Sequence, residues 1–104
     1  MLLEPTISQI VSITGIGTGL IVKTDWVART VVVDIVDYTD TLAQDIVASD
    51  RLEHNRSIRR LARRFEDRGD TDGYNLIREW LLDHDQVSVS IEDIEDYESL
   101  ERLL

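Results

Sequence analysis

The spacing of apolar positions changes period more than once along this chain. Residues 7–14 are rich in β-branched side chains, and residues 20–24 form a second short apolar run. Glycines at 15, 17 and 19 separate the two. Residues 26–36 carry the strongest strand pattern. Val27, Val31, Val33 and Ile35 point one way, and Trp26, Ala28, Val32 and Val36 point the other. Apolar side chains on both faces predict a central, covered strand. The reading for residues 7–14 is a strand, with a short helix opened by Pro5 and carrying Ile7, Ile10 and Val11 on one side as the alternative. From Thr39 the period lengthens. Thr39 or Asp40 can cap a helix carrying Leu42, Ile46 and Val47. Residues 50–55 read as a break, after which a second helix runs over 56–68 and stops at Gly69. A cap at Asp70, Thr71 or Asp72 opens a third helix reaching about His84, with Tyr74, Leu76, Ile77, Trp80 and Leu81 buried. Residues 86–91 alternate, with Val87, Val89 and Ile91 inward and Ser88 and Ser90 outward, which predicts a half-buried strand. Ser90 and Asp93 have capping-box spacing for a last helix holding Ile94, Tyr97, Leu100 and Leu103.

This order predicts one α+β domain over 1–104: β-rich at 6–37, helical at 39–84, a strand at 86–91 and an acidic helix at 92–104. The expected architecture is a small, mainly antiparallel sheet of N-terminal strands plus one late strand, covered by three to four helices.

The second helix is where charge changes the picture. Arg56, Arg59, Arg60, Arg63, Arg64 and Arg68 share one helical face, and Ile58, Leu61, Ala62 and Phe65 take the opposite one. The surrounding chain is acidic. Residues 1–50 carry seven acids against two bases, 51–68 three acids against seven arginines, and 69–104 eleven acids against two arginines, for a net charge of -10. Guanidinium forks bind carboxylates or phosphates in pairs. A -10 chain repels nucleic acid, and no aromatic side chains interleave the arginines to stack on bases. The stripe therefore points to an acidic face on a protein partner or on another copy of this chain, in a homo-oligomer, or to the carboxylates near residues 92–101. No direct nucleic-acid or membrane partner is expected.

Asp outnumbers Glu by 13 to 8, and Lys23 is the only lysine. Such surfaces resemble those of proteins from salt-loving archaea and their viruses, where carboxylates keep the surface hydrated and screening shortens electrostatic reach to a few Å. The chain has no cysteine, which excludes thiol nucleophiles, thiolate metal sites and disulfides. No run approaches 18 apolar residues and no basic leader is visible, so a cytoplasmic or virion location is expected.

Other candidates are smaller. Gly15, Gly17 and Gly19 form a glycine-rich hairpin or an adaptable contact loop. A dinucleotide fingerprint would place its third glycine where Leu20 stands. Asp70-Thr71-Asp72-Gly73 with Glu79 resembles part of an EF-hand calcium loop, with Asp70, Asp72 and Glu79 at three ligand positions and Arg68 where the first ligand belongs. A capped turn explains the same residues. Asp34, Asp37, Asp40 and Asp45 form an acidic stretch. His54 and His84 are the only histidines, and neither sits in a catalytic pattern. No cofactor is expected. The sequence thus leads to a non-enzymatic structural, assembly or adaptor protein acting by protein–protein contacts, as in a haloarchaeal or viral assembly. The alternative is an acidic nucleic-acid mimic that inhibits a nucleic-acid-binding complex.

Overall fold

Alternation of β-branched with polar or small residues builds the sheet. The computed structural model describes residues 6–98. Five strands pair throughout as antiparallel neighbours: β1 (Ile10–Ile13), β2 (Gly17–Asp25), β3 (Thr30–Tyr38), β4 (Gln86–Ser90) and β5 (Ile94–Glu98), in the order β4-β3-β2-β1-β5. The register sets Val33 between Ile21 and Val87, and Val31 beside Val89. Val11, Ile13, Ile21, Val31, Val33, Ile35, Val87 and Val89 thereby form one buried cluster. Register shifts between Thr18 and Gly19, and again between Ile21 and Lys23, interrupt the β2–β3 ladder. Irregularities of this kind bend a sheet, and this one is curled.

β2 can lie this close to β3 because two of its residues lack side chains. A Cβ at Gly17 would collide with the Asp37 carbonyl oxygen, and one at Gly19 with the Val33 side chain and the Asp34 carbonyl. The β2–β3 turn is held by Asp25, whose carboxylate accepts the Val27 and Ala28 N–H groups, each at 3.1 Å. At the far end of β3, the Tyr38 hydroxyl donates to Asp85 across 3.4 Å. Burial and the Asp85 charge raise the Tyr38 pKa above its ordinary 10.0.

α1 (Thr41–Asp67) is one helix of 27 residues. Asp40 caps it by accepting the Ala43 N–H at 2.8 Å. Ala43, Val47, Ile58 and Ala62 are its buried positions, and Val47 joins the sheet cluster. Gly69 (φ +73°) turns the chain into α2 (Thr71–Arg78), which packs back on α1. Gly73 belongs to that contact: a Cβ there would lie 2.5 Å from the Phe65 ring.

The α+β class holds, with two helices among the described residues where three to four were expected. The predicted break at 50–55 is helical. No glycine or proline lies between Asp40 and Gly69, and the polar side chains of His54 and Asn55 find partners across the fold. The third helix ends at Arg78, short of His84, and both Leu76 within it and Trp80 beyond its end are exposed (59% and 50%) where burial was expected. Residues 26–29 form a turn, so Trp26 and Val27 lie outside the strand predicted for them. The acidic helix expected from residue 92 is instead a 3-10 turn at Ile91–Asp93 followed by β5, and residues 99–104 lie outside the described residues. β1 offers an open ladder of backbone groups, and pairing with it outweighs a local helix signal of only a few residues.

Two substitutions test this architecture. Ile21 is fully buried, so Ile21→Ala should cost about 2–5 kcal/mol in urea unfolding through transfer and cavity terms, whereas Ile7→Ala, at a 61% exposed site, should stay within ~0.5 kcal/mol. Asp40→Ala removes the α1 cap and should cost ~1 kcal/mol in the same measurement.

Candidate functional site

The inner face of α1 is committed twice. Its first half covers the sheet cluster through Ala43 and Val47, and its second half meets α2 and the following segment through Ile58 and Ala62. At about 100° per residue these four positions span roughly 100° of arc, and the six arginines fill the opposite side. Arg56, Arg59, Arg60, Arg63, Arg64 and Arg68 are all exposed. None makes an ion pair with a carboxylate among the described residues, where the sole pair is His84 with Asp85 at 3.6 Å. Among the described residues no ion pair joins this face to the acids of residues 92–95. β5 is the sheet edge beyond β1, whereas α1 packs beside β3 and β4. The stripe predicted from periodicity is present as an exposed arginine face, with Asp67 among the last of its guanidiniums.

The same helix is electrically divided. Residues 41–53 hold Asp45, Asp50 and Glu53 with only Arg51, whereas residues 54–67 hold five arginines with Glu66 and Asp67. Leu42, Ile46 and Leu52 are 67%, 42% and 51% exposed, so the acidic half also offers aliphatic surface to solvent.

A second feature was not predicted. Between the outer side of the β2–β3 hairpin and residues 79–83 lies an open groove of about 870 Å³. Trp26, Val22, Val32, Ile58, Trp80 and Leu81 supply its apolar walls, with Thr24, Thr30, Gln86 and Ser88 among the polar ones. Trp26 and Trp80 are each about half exposed, and Val27 at the rim is 98% exposed. The far wall is fastened by side chains of α1. Asn55 accepts the Leu82 N–H at 2.9 Å and donates its amide to the Leu82 carbonyl at 3.1 Å. His54 Nε2 lies 3.3 Å from the Trp80 carbonyl. Lys23 reaches from β2 to donate to the Glu79 carbonyl at 3.2 Å. Sequence reasoning assigned Trp26 to a strand and Trp80 to a helix core. The available signal was Asp25 ahead of the turn, a residue type that caps turns through its side chain.

The remaining candidates have structural partners. Gly17 and Gly19 are buried beneath β3, and only Gly15 of the glycine loop is exposed, at φ +73° in the β1–β2 turn. Asp70 caps α2 by accepting the Gly73 N–H at 2.9 Å. Asp70, Asp72 and Glu79 do not converge, and among the described residues no three His, Asp or Glu side chains are grouped to hold a metal ion. Of the acidic stretch, Asp34 is half-buried, Asp37 and Asp45 are exposed, and Asp40 is the α1 cap. Among the described residues no helix is long and apolar enough to cross a membrane.

Comparison with protein-family models, curated proteins and solved structures found no match. The chemistry must be read from the side chains themselves.

Asn55→Ala removes both tethers of Leu82 and leaves two partly buried backbone groups without partners. The expected cost is about 1–3 kcal/mol, with faster hydrogen exchange at the Leu82 amide than at amides of β2.

Proposed function

We propose that this chain is a non-enzymatic assembly or adaptor protein that docks carboxylate-bearing protein surfaces on the arginine face of α1. One observation carries the reading: six arginines lie exposed on one helical face without an ion-pair partner among the described residues, in a chain of net charge -10. Arginine suits such docking because its planar fork holds a carboxylate through two hydrogen bonds, and its weaker hydration lowers the cost of burial. The acidic remainder keeps phosphate polymers away and suits operation in concentrated salt, as in a haloarchaeal or viral assembly, where contacts must be short because long-range attraction is screened. The groove between Trp26 and Trp80 supports the same reading, since half-exposed tryptophans are frequent binding hot spots. The nucleic-acid-mimic alternative needs the arginines neutralised within the chain, and among the described residues no ion pair does so.

The test compares binding of fluorescent polyglutamate and of duplex DNA of matched charge, alongside the solution mass of the protein. The wild-type chain should bind polyglutamate more tightly than DNA, or self-associate. Arg60→Glu with Arg63→Glu should weaken either contact at least tenfold, about 1.4 kcal/mol, while leaving the circular dichroism unchanged. Tighter binding of DNA, or a monomer that ignores both polymers, would overturn the reading.

A further inference from the structure

We infer that the carboxylate-bearing surface met by α1 is α1 of a second copy of this chain, packed antiparallel about a two-fold axis near Leu52. The inference rests on the docking role proposed above and names its partner. Charge order along the helix carries it. The exposed face runs from Asp45 and Glu53 in the first half to Arg56, Arg60, Arg63 and Arg64 in the second. Reversing a second copy lays each acidic half over the other's arginines. A parallel arrangement would set arginines on arginines.

Apolar surface fits the same arrangement. Leu42, Ile46 and Leu52 lie 67%, 42% and 51% exposed in the acidic half. In the reversed pair Leu42 and Ile46 meet the aliphatic stems of the partner's arginines, which can cover apolar surface while their heads reach Asp45 or Glu53, and Leu52 meets its own counterpart near the axis. α1 is 27 residues, roughly 40 Å long, so the contact can run over several helical turns on either side of the axis. The inner face of α1 is already taken by the sheet and α2 and is not disturbed. A two-fold contact uses the same patch on both copies and closes as a dimer. Docking of the arginines on the acidic β5 edge would instead be head-to-tail and build rings or filaments in place of a closed pair.

Sedimentation equilibrium decides the matter. The wild-type chain should give twice 11.9 kDa. Asp45→Arg with Glu53→Arg makes the outer face strongly basic, with Asp50 and Asp67 its remaining acids, and Arg60→Glu with Arg64→Glu makes it far more acidic. Each variant alone should dimerise at least tenfold more weakly, and an equal mixture should recover a mixed dimer. Geometry is read separately by oxidising single-cysteine variants of this cysteine-free chain. Leu52→Cys, near the axis, should cross-link to itself. Leu42→Cys should not, because its counterpart lies roughly 30 Å away along the reversed helix.

A wild-type monomer that still binds polyglutamate would overturn the inference and leave the docking role standing. A monomer that binds nothing would remove both. Mass rising beyond the dimer, or cross-linking of Leu42→Cys as readily as Leu52→Cys, would replace the antiparallel pair with another arrangement.

Discussion

The continuity of α1 from Thr41 to Asp67 is the constraint on which the other features hang. One helix serves two cores. Near its start Val47 packs into the valine-rich sheet cluster, and toward its end Ile58 and Ala62 support α2 and residues 79–83. A helix that spans both cannot rotate to bury its other side. The arginines are therefore held in solvent by packing elsewhere, along an outer face with no local alternative. The Asn55 side chain makes the arrangement specific, because its amide satisfies both backbone groups of Leu82 and fixes where the chain beyond α2 returns to the sheet. Without that return, the wall of the groove carrying Trp80 would have no fixed position.

Electrostatics sharpens the point. Arg56 and Arg60, Arg60 and Arg64, Arg59 and Arg63, and Arg64 and Arg68 are each four residues apart, and like charges at that spacing destabilise a helix by a few tenths of a kcal/mol per pair. The C-terminal dipole offsets this only for the last turn, where Arg64 lies. Glutamine or glutamate at some of these positions would relieve the repulsion. A face that accepts it, in a fold that otherwise follows local rules, is where a binding role is expected.

Legibility from sequence followed the range of the interactions involved. The inward set of β4 and of residues 30–35 in β3 was readable because those strands bury one face on a single core, whereas the cover expected on the other face of β3 is absent at Val36, 71% exposed. The arginine stripe was readable because helical periodicity is local. The continuity of α1 was not, since the polar residues around His54 and Asn55 are satisfied by a segment 26 and 27 residues away. β5 was missed for a related reason. Its residues carry helix-compatible spacing, and only the open edge of β1 makes them a strand. Trp26 and Trp80 read as core because each sits in an apolar run, yet the turn after Asp25 and the early end of α2 turn both toward the groove.

The groove and the arginine face differ in chemistry and lie on different sides of α1. Ile58 contributes to the groove, whereas Arg56 and Arg60 lie roughly 160° around the helix from it. Occupation of one surface leaves the other reachable. The arginine face depends on charge pairing at short range and is matched by the acidic half of the same helix. The groove offers half-exposed aromatic rings with Lys23, Asp25, Glu79 and Asp83 also in its lining, so desolvation of the rings favours its occupancy while salt acts on it through those four charges. Under the proposed reading, a dimer built on α1 would present two such grooves, one per copy, related by the two-fold axis. That arrangement lets a self-assembled unit hold a second, different protein, which separates an adaptor from a subunit that only binds itself.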